Sequence, residues 1–177
     1  MMRIKDREFK RYVGADELAA IVERLAGEIN RDYVLCYDLV VCPVLTGAFV
    51  FAADLLRHIK VPCEVRMVRY ASYSGMKSTG EVRCELPFAK EIEGRDVLIV
   101  EDVVDSGLSM QKMLTEVNTM KPRSVKVCTL FFKPQAFKGH FKVDYVGKEI
   151  GDDFIVGYGM DYDEQGRNLP EVMVVEG

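Results

Sequence analysis

Val97 to Met110 reads VLIVEDVVDSGLSM, and this stretch decides the fold. Val97 to Val100 is a continuous apolar run without polar alternation, which predicts a strand covered on both faces. The strand ends on two adjacent carboxylates, Glu101 and Asp102. They arrive at the carboxyl edge of a sheet, where open α/β sheets place their ligands. Asp105-Ser106-Gly107-Leu108-Ser109 then supplies small residues, two hydroxyls and a glycine ahead of a helix. Met110, Met113, Leu114 and Val117 mark that helix, and Pro122 lies beyond its stop. Unpaired N–H groups at such a helix start form a phosphate cradle.

Working outward, the same strand, turn and helix order occurs upstream. Leu39 to Leu45 (LVVCPVL) is apolar throughout, Thr46-Gly47 breaks it, and a helical pattern runs on through Leu55 and Leu56. Two such units imply a parallel sheet. Glu64 to Tyr70 alternates like a strand, and Ser124 to Phe132, Val143 to Val146, Phe154 to Gly157 and Val172 to Val175 supply further strands. Leu18, Ile21, Val22, Leu25 and Ile29 fall on one helical stripe, with Asp16 and Glu17 in the first turn where the dipole favours acids. The expected class is α/β, a mostly parallel sheet flanked by helices on both faces. One domain spans 1–177, with a mobile loop over about 71–82 because that segment is small and polar.

Composition excludes several functions. With 24 Lys plus Arg against 28 Asp plus Glu, the chain has no global positive field, so nucleic acid is not an expected partner. The five cysteines form no C-x-x-C pair, and only His58 and His140 accompany them, so neither a disulfide framework nor a structural zinc site is expected. The N-terminus, MMRIKDRE, is charged where a signal peptide is apolar, which places the protein in the cytoplasm. Leu39 to Ala53 is shorter than the ~20 residues of a membrane helix and contains Pro43, Thr46 and Gly47, so no membrane is involved. Gly75-Met76-Lys77-Ser78-Thr79 fails as a P-loop, because Met76 separates glycine from lysine and no apolar helix follows.

The order of strand, acid pair, two hydrophobic residues, acid and Ser-Gly-x-Ser turn resembles the phosphoribosyl-pyrophosphate signature of the type I phosphoribosyltransferases. Four further segments narrow the resemblance to the 6-oxopurine branch, the hypoxanthine (hypoxanthine-guanine) phosphoribosyltransferases. They are Leu45-Thr46-Gly47 followed by FAADLLRHI, Ser72-Tyr73 before Ser-Thr-Gly, FFKP around Lys133, and VGYGMDYDEQGRNLP. The match runs from about Leu39 to Pro170. It implies a type I phosphoribosyltransferase fold with a small hood formed by the N-terminus and about 147–177. It also implies Mg2+-dependent transfer of a phosphoribosyl group from 5-phosphoribosyl-1-pyrophosphate to a 6-oxopurine base, in a homo-oligomer that is a dimer or tetramer.

By this resemblance Glu101 and Asp102 contact the ribose hydroxyls and help organise Mg2+. Their charge suits a ribosyl carbon that turns positive as pyrophosphate leaves. Asp105 is the proton acceptor at the imidazole edge of the purine. Asp105, Ser106, Gly107, Leu108 and Ser109 hold the 5-phosphate. Leu45, Thr46 and Gly47 present backbone N–H groups to pyrophosphate, with a cis Leu45-Thr46 peptide and Gly47 in a conformation that a larger residue resists. Many relatives carry lysine where Thr46 stands. Lys133 alone reads as a lysine snorkelling at a strand end. The resemblance makes it the donor to the 6-oxo group, which an adenine amino group cannot replace as acceptor. Phe154 stacks on the purine and Ile155 offers main-chain contacts. Asp161 joins the purine site and a second Mg2+, and Arg167 reaches the pyrophosphate. Ser72 and Tyr73 belong to a lid.

A rival reading is a catalytically silent regulator on this fold that binds nucleotide or RNA. Its motive is the interleaving of Phe131, Phe132, Phe137 and Phe141 with Lys133, Lys138, His140 and Lys142, a pattern that can stack and pair with single strands.

Overall fold

A computed structural model describes residues 1–72, 82–86 and 92–176, with the side chains of 71, 72 and 82–86 left aside. In chain order the elements are β1 (Met2–Ile4), β2 (Arg7–Val13), α1 (Ala15–Asp32), β3 (Leu39–Leu45) and α2 (Phe49–His58). There follow β4 (Cys63–Val65), β5 (Val68–Ser72), β6 (Val82–Leu86), β7 (Asp96–Val104) and α3 (Leu108–Thr119). The chain closes with β8 (Ser124–Phe132), β9 (Tyr145–Glu149), β10 (Ile155–Val156) and β11 (Val172–Val175). The central sheet has the order β6-β5-β3-β7-β8-β9, with β4 also paired to β3. Every pairing in it is parallel except that of β5 with β6.

The continuous apolar runs of β3 and β7 follow from burial on two sides. Leu39 and Val41 enter one hydrophobic cluster and Val40 and Cys42 the other, as alternate pleat positions must. The first cluster is closed by the α1 stripe, Leu18, Ile21, Val22, Leu25 and Ile29, together with Phe51 and Leu55 of α2. The second is closed by Met110, Met113 and Val117 of α3. Each fully buried Leu, Ile or Val in β7 contributes roughly 1.5–3 kcal/mol by area removed from water. That burial fixes the strand whose end carries the acid pair.

The terminal segments build a second, antiparallel sheet in the order β1-β2-β11-β10. Ile4, Phe9, Val156 and Met173 form its small core. The sequence reading does not include strands β1 and β2; in β2 only Phe9 and Val13 are buried, with the exposed Arg11 between them on the same face. This sheet is the hood that the resemblance implies.

Some expected boundaries move. The strand expected over Glu64 to Tyr70 is two strands, because β4 pairs with the start of β3 and β5 with its end, while Arg66 N–H donates to Val41 O at 2.9 Å between them. Strand β7 does not stop at the acid pair. It runs on to Val104, held by pairing of Val103 and Val104 with Phe131 and Phe132. The strand expected over Val143 to Val146 starts later, since the Asp144 carboxylate accepts Val127 N–H at 3.0 Å and the ladder opens at Tyr145. Expected loop 71–82 narrows, because Ser72 and Val82 pair as ends of β5 and β6. Tyr73 and the rest of the loop lie outside the described residues, so only the backbone of the Ser72-Tyr73 lid pair's first member is placed.

At the opposite edge, Arg123 binds both Asp38 and Asp96, the latter at 2.7 Å, and Ser124 Oγ donates to Asp96 at 2.6 Å. These contacts tie the starts of β3, β7 and β8 together.

Candidate active site

The phosphate turn follows directly from β7. Gly107 caps α3 with φ 75°, a left-handed conformation that favours glycine. The first bond into the helix runs from Gln111 N–H to Gly107 O at 2.9 Å, leaving the N–H groups of Ser109 and Met110 pointing from the helix end. A cavity of about 120 Å³ opens there, lined by Glu101, Asp105, Ser106, Gly107 and Ser109 among others. Its size and its N–H donors suit a phosphate group.

Glu101 and Asp102 are both half-buried on the last part of β7, and Asp102 N–H donates to Glu101 Oε1 at 3.2 Å. Burial first, and the neighbouring Asp102 carboxylate second, push the Glu101 carboxyl well above its ordinary value. Beside this pair runs the Leu45-Thr46-Gly47 loop, whose Leu45-Thr46 peptide is cis. Gly47 is required for a reason other than the expected one. Its φ is not in the left-handed range, but a Cβ there would lie 2.5 Å from Asp102 Cγ. The loop and the acid pair therefore touch, backbone against carboxylate.

A third segment closes over this contact. Gly159, at φ 104°, packs on Gly47 O so closely that a Cβ would collide with it. Arg167 Nη1 donates to Gly159 O at 2.8 Å, and Arg167 Nη2 pairs with Asp161 Oδ1 at 2.6 Å. The guanidinium is thereby brought to the loop end of the site. Both carboxylate oxygens of Asp161 are engaged, since Oδ2 accepts Glu164 N–H at 2.8 Å. Gly159 was missing from the sequence-based site. The Gly-Tyr-Gly triplet at 157–159 was its signal, because two glycines around one aromatic mark left-handed backbone, and all three residues have positive φ.

Lys133 is 8% exposed at the end of β8, and its Nζ lies 3.2 Å from Asp105 Oδ2. A snorkelling lysine would reach water instead. Phe154 is 43% exposed and meets Tyr162 edge to face at 5.7 Å, so it is a surface platform and not a core residue. Ile155 is buried in the pairing of β10 with β11. In the aromatic and basic run behind the RNA-binding alternative, Lys138, His140 and Lys142 are exposed but the aromatic rings are wholly or partly buried. Phe131 is fully buried, and Phe132, Phe137 and Phe141 pack edge to face on one another at 5.1 and 5.2 Å. Their faces are spent on each other.

Fold and site together define a phosphoribosyl-transfer domain: a family model described as "Phosphoribosyl transferase domain" matches residues 11–163, and the chain belongs to that family. Several similar proteins within it are hypoxanthine-guanine phosphoribosyltransferases. That of Mycobacterium avium is 44% identical over 161 residues, covering 88% of this chain and 79% of the relative. That of Aquifex aeolicus (strain VF5) is 38% identical over 177 residues, covering 99% of each. The crystal structure of a hypoxanthine-guanine phosphoribosyltransferase from Bacillus anthracis superposes with a TM-score of 0.89 at 39% identity, over 96% of this chain and 100% of that one. These are names of enzymes, and the silent-regulator alternative finds no support among them. Among the described residues no helix is long and apolar enough to cross a membrane.

Proposed function

We propose that the protein is a purine salvage enzyme that transfers the 5-phosphoribosyl group of 5-phosphoribosyl-1-pyrophosphate to hypoxanthine or guanine, giving IMP or GMP and pyrophosphate. The observation that carries this reading is the contact of Gly47 with the Asp102 carboxylate, which puts an anion-binding loop against the ribose-facing acids. The C–O bond from the ribosyl carbon to pyrophosphate breaks, and a bond from that carbon to the purine imidazole nitrogen forms. Asp105 accepts the proton released at the imidazole edge.

The remaining roles are those the family resemblance implies, and the positions described above are compatible with them. Asp105, Ser106, Gly107, Leu108 and Ser109 cradle the 5-phosphate, with helix N–H groups supplying the donors. Glu101 and Asp102 accept from the ribose hydroxyls and favour positive charge at the ribosyl carbon. Leu45, Thr46 and Gly47 offer main-chain N–H groups to the pyrophosphate, and Arg167 adds a charged donor fork. Lys133 reads the 6-oxo group, Phe154 stacks on the ring, and Ile155 contacts it through the main chain.

The donor set of Glu101 and Asp102 is carboxylate oxygen only, which suits a hard divalent cation such as Mg2+. Bound there, Mg2+ supplies charge neutralisation for the leaving pyrophosphate. Asp161 would offer carboxylate oxygen to a second Mg2+ alongside its present partners, Arg167 and Glu164 N–H. The enzyme works in the cytoplasm as a homo-oligomer, dimer or tetramer.

The test is turnover with 5-phosphoribosyl-1-pyrophosphate, Mg2+ and, in turn, hypoxanthine, guanine, xanthine and adenine. Stoichiometric nucleotide and pyrophosphate are expected with hypoxanthine or guanine and not with adenine. No pyrophosphate release with any 6-oxopurine would overturn the assignment.

A further inference from the structure

Phe137 lies outside every role assigned above, yet its ring is built into the back of the phosphate turn. A Cβ placed on Gly107 would lie 2.5 Å from Phe137 Cε2 and 2.9 Å from Cδ2, so the ring rests directly on the Gly107 backbone. The ring is itself fixed. Phe132 holds one side at 5.1 Å and an interplanar angle of 72°, and Phe141 holds the other at 5.2 Å and 80°. The next residue makes a second attachment, since Lys138 N–H donates to Ser106 O at 2.9 Å.

The same segment begins at the base-reading lysine. Ala136 N–H and Phe137 N–H both donate to Lys133 O at 3.2 Å, which winds residues 133–137 into one tight turn. Lys133 N–H in turn donates to Val104 O at 3.0 Å, and its Nζ pairs with Asp105. The turn thus spans from the purine end of the site to the phosphate end, touching Val104, Asp105, Ser106 and Gly107 in succession. Side chains that set a catalytic geometry need such backing, because a misplacement of about 1 Å costs up to about a hundredfold in rate.

We propose that Phe137 is a positioning residue that holds the Ser106-Gly107 turn in its phosphate-binding form and links it to Lys133 through the 133–137 turn. This deepens the reading of that turn as the 5-phosphate cradle and rests on it. Phe137 contacts the backbone of the cradle without lining the cavity at that turn, so its effect falls on ligands that carry a 5-phosphate. A ligand bound by base and ribose alone is held by groups that Phe137 does not back, apart from Lys133.

The discriminating measurement is calorimetric binding of IMP and of inosine, which differ by the 5-phosphate, to the full-length protein and to Phe137→Leu and Phe137→Tyr. In the parent protein IMP is expected to bind far more tightly than inosine. Phe137→Leu is expected to weaken IMP about tenfold while inosine changes less than about twofold, with KM for 5-phosphoribosyl-1-pyrophosphate rising more than kcat falls. Phe137→Tyr keeps the ring and is expected to restore the parent ratio. Equal weakening of IMP and inosine, or full retention of the ratio by a folded Phe137→Leu, overturns the proposal. If Phe137→Leu does not fold, Phe137→Met is measured in its place with the same two outcomes. A parent protein that binds IMP no more tightly than inosine would instead overturn the cradle reading itself, a result distinct from either.

Discussion

Gly47→Ala puts a methyl group where the structure leaves no room. The new Cβ would lie 2.5 Å from Asp102 Cγ and 2.9 Å from Asp102 Oδ1. Carbon atoms in contact sit about 3.5–4.0 Å apart, so the carboxylate must retreat by about 1 Å or more, or the loop must. Movement of the loop is also limited, because Gly159 is packed on Gly47 O. Forced rearrangement of this kind costs about 1–3 kcal/mol of stability. The larger effect is on function, since the acid proposed to face the ribosyl carbon is displaced by about the distance that costs up to a hundredfold. The expected result is a kcat/KM for 5-phosphoribosyl-1-pyrophosphate lower by about one to two powers of ten, with a smaller change in KM for the base. Steady-state kinetics with varied co-substrate measures the split. A second variant, Gly47→Ala in an Asp102→Ser background, removes the clash and should add little to the loss from Asp102→Ser alone. Near-parent kcat/KM in Gly47→Ala, or full additivity in the double variant, would refute the steric reasoning.

Lys133→Ser removes the only donor assigned to the 6-oxo group and leaves Asp105 without its ion-pair partner. The ratio of kcat/KM for hypoxanthine over adenine should fall by at least about tenfold, and an unchanged ratio would place base reading elsewhere. Glu101 carries a carboxyl whose value is raised by burial and by Asp102, so its ionisation opposes folding as pH rises above the unfolded carboxylate range. Glu101→Gln, measured without divalent cation, should therefore raise Tm at about pH 8 and not at about pH 4, while lowering transfer; a Tm gain of equal size at both would contradict this. Arg123 holds the Asp96 carboxyl at about 2, below its ordinary 3.8, with Ser124 assisting. Stability from a depressed carboxyl is present above the unfolded value and lost as pH falls through the folded one. Arg123→Met should thus lower the urea midpoint at about pH 6 and do so progressively less toward about pH 3. A pH-independent cost would mean that Arg123 acts by packing alone.

The sequence by itself determined the local parts of this protein. The apolar runs of β3, β7 and β8 and the stripe of α1 are legible because an unbroken apolar run reports a strand covered on both faces and a 3.6-residue stripe reports a helix buried on one. The acid pair and the turn from Asp105 to Ser109 are legible because all their members lie on one strand, turn and helix. Hood strands β1 and β2 escaped notice because short strands among charged residues carry a weak alternating signal, and only Phe9 and Val13 stand out. Tertiary structure decided what touches what. Gly47 is needed because Asp102 arrives beside it from another strand, and Gly159 because Gly47 O lies beneath it. No periodicity encodes either approach. Phe137, which reads as part of an aromatic and basic patch, becomes the backing of the phosphate turn only once β8 and the segment after it return alongside β7. Burial patterns say that a residue is covered, and the parallel pairing of β3, β7 and β8 decides which residue covers it.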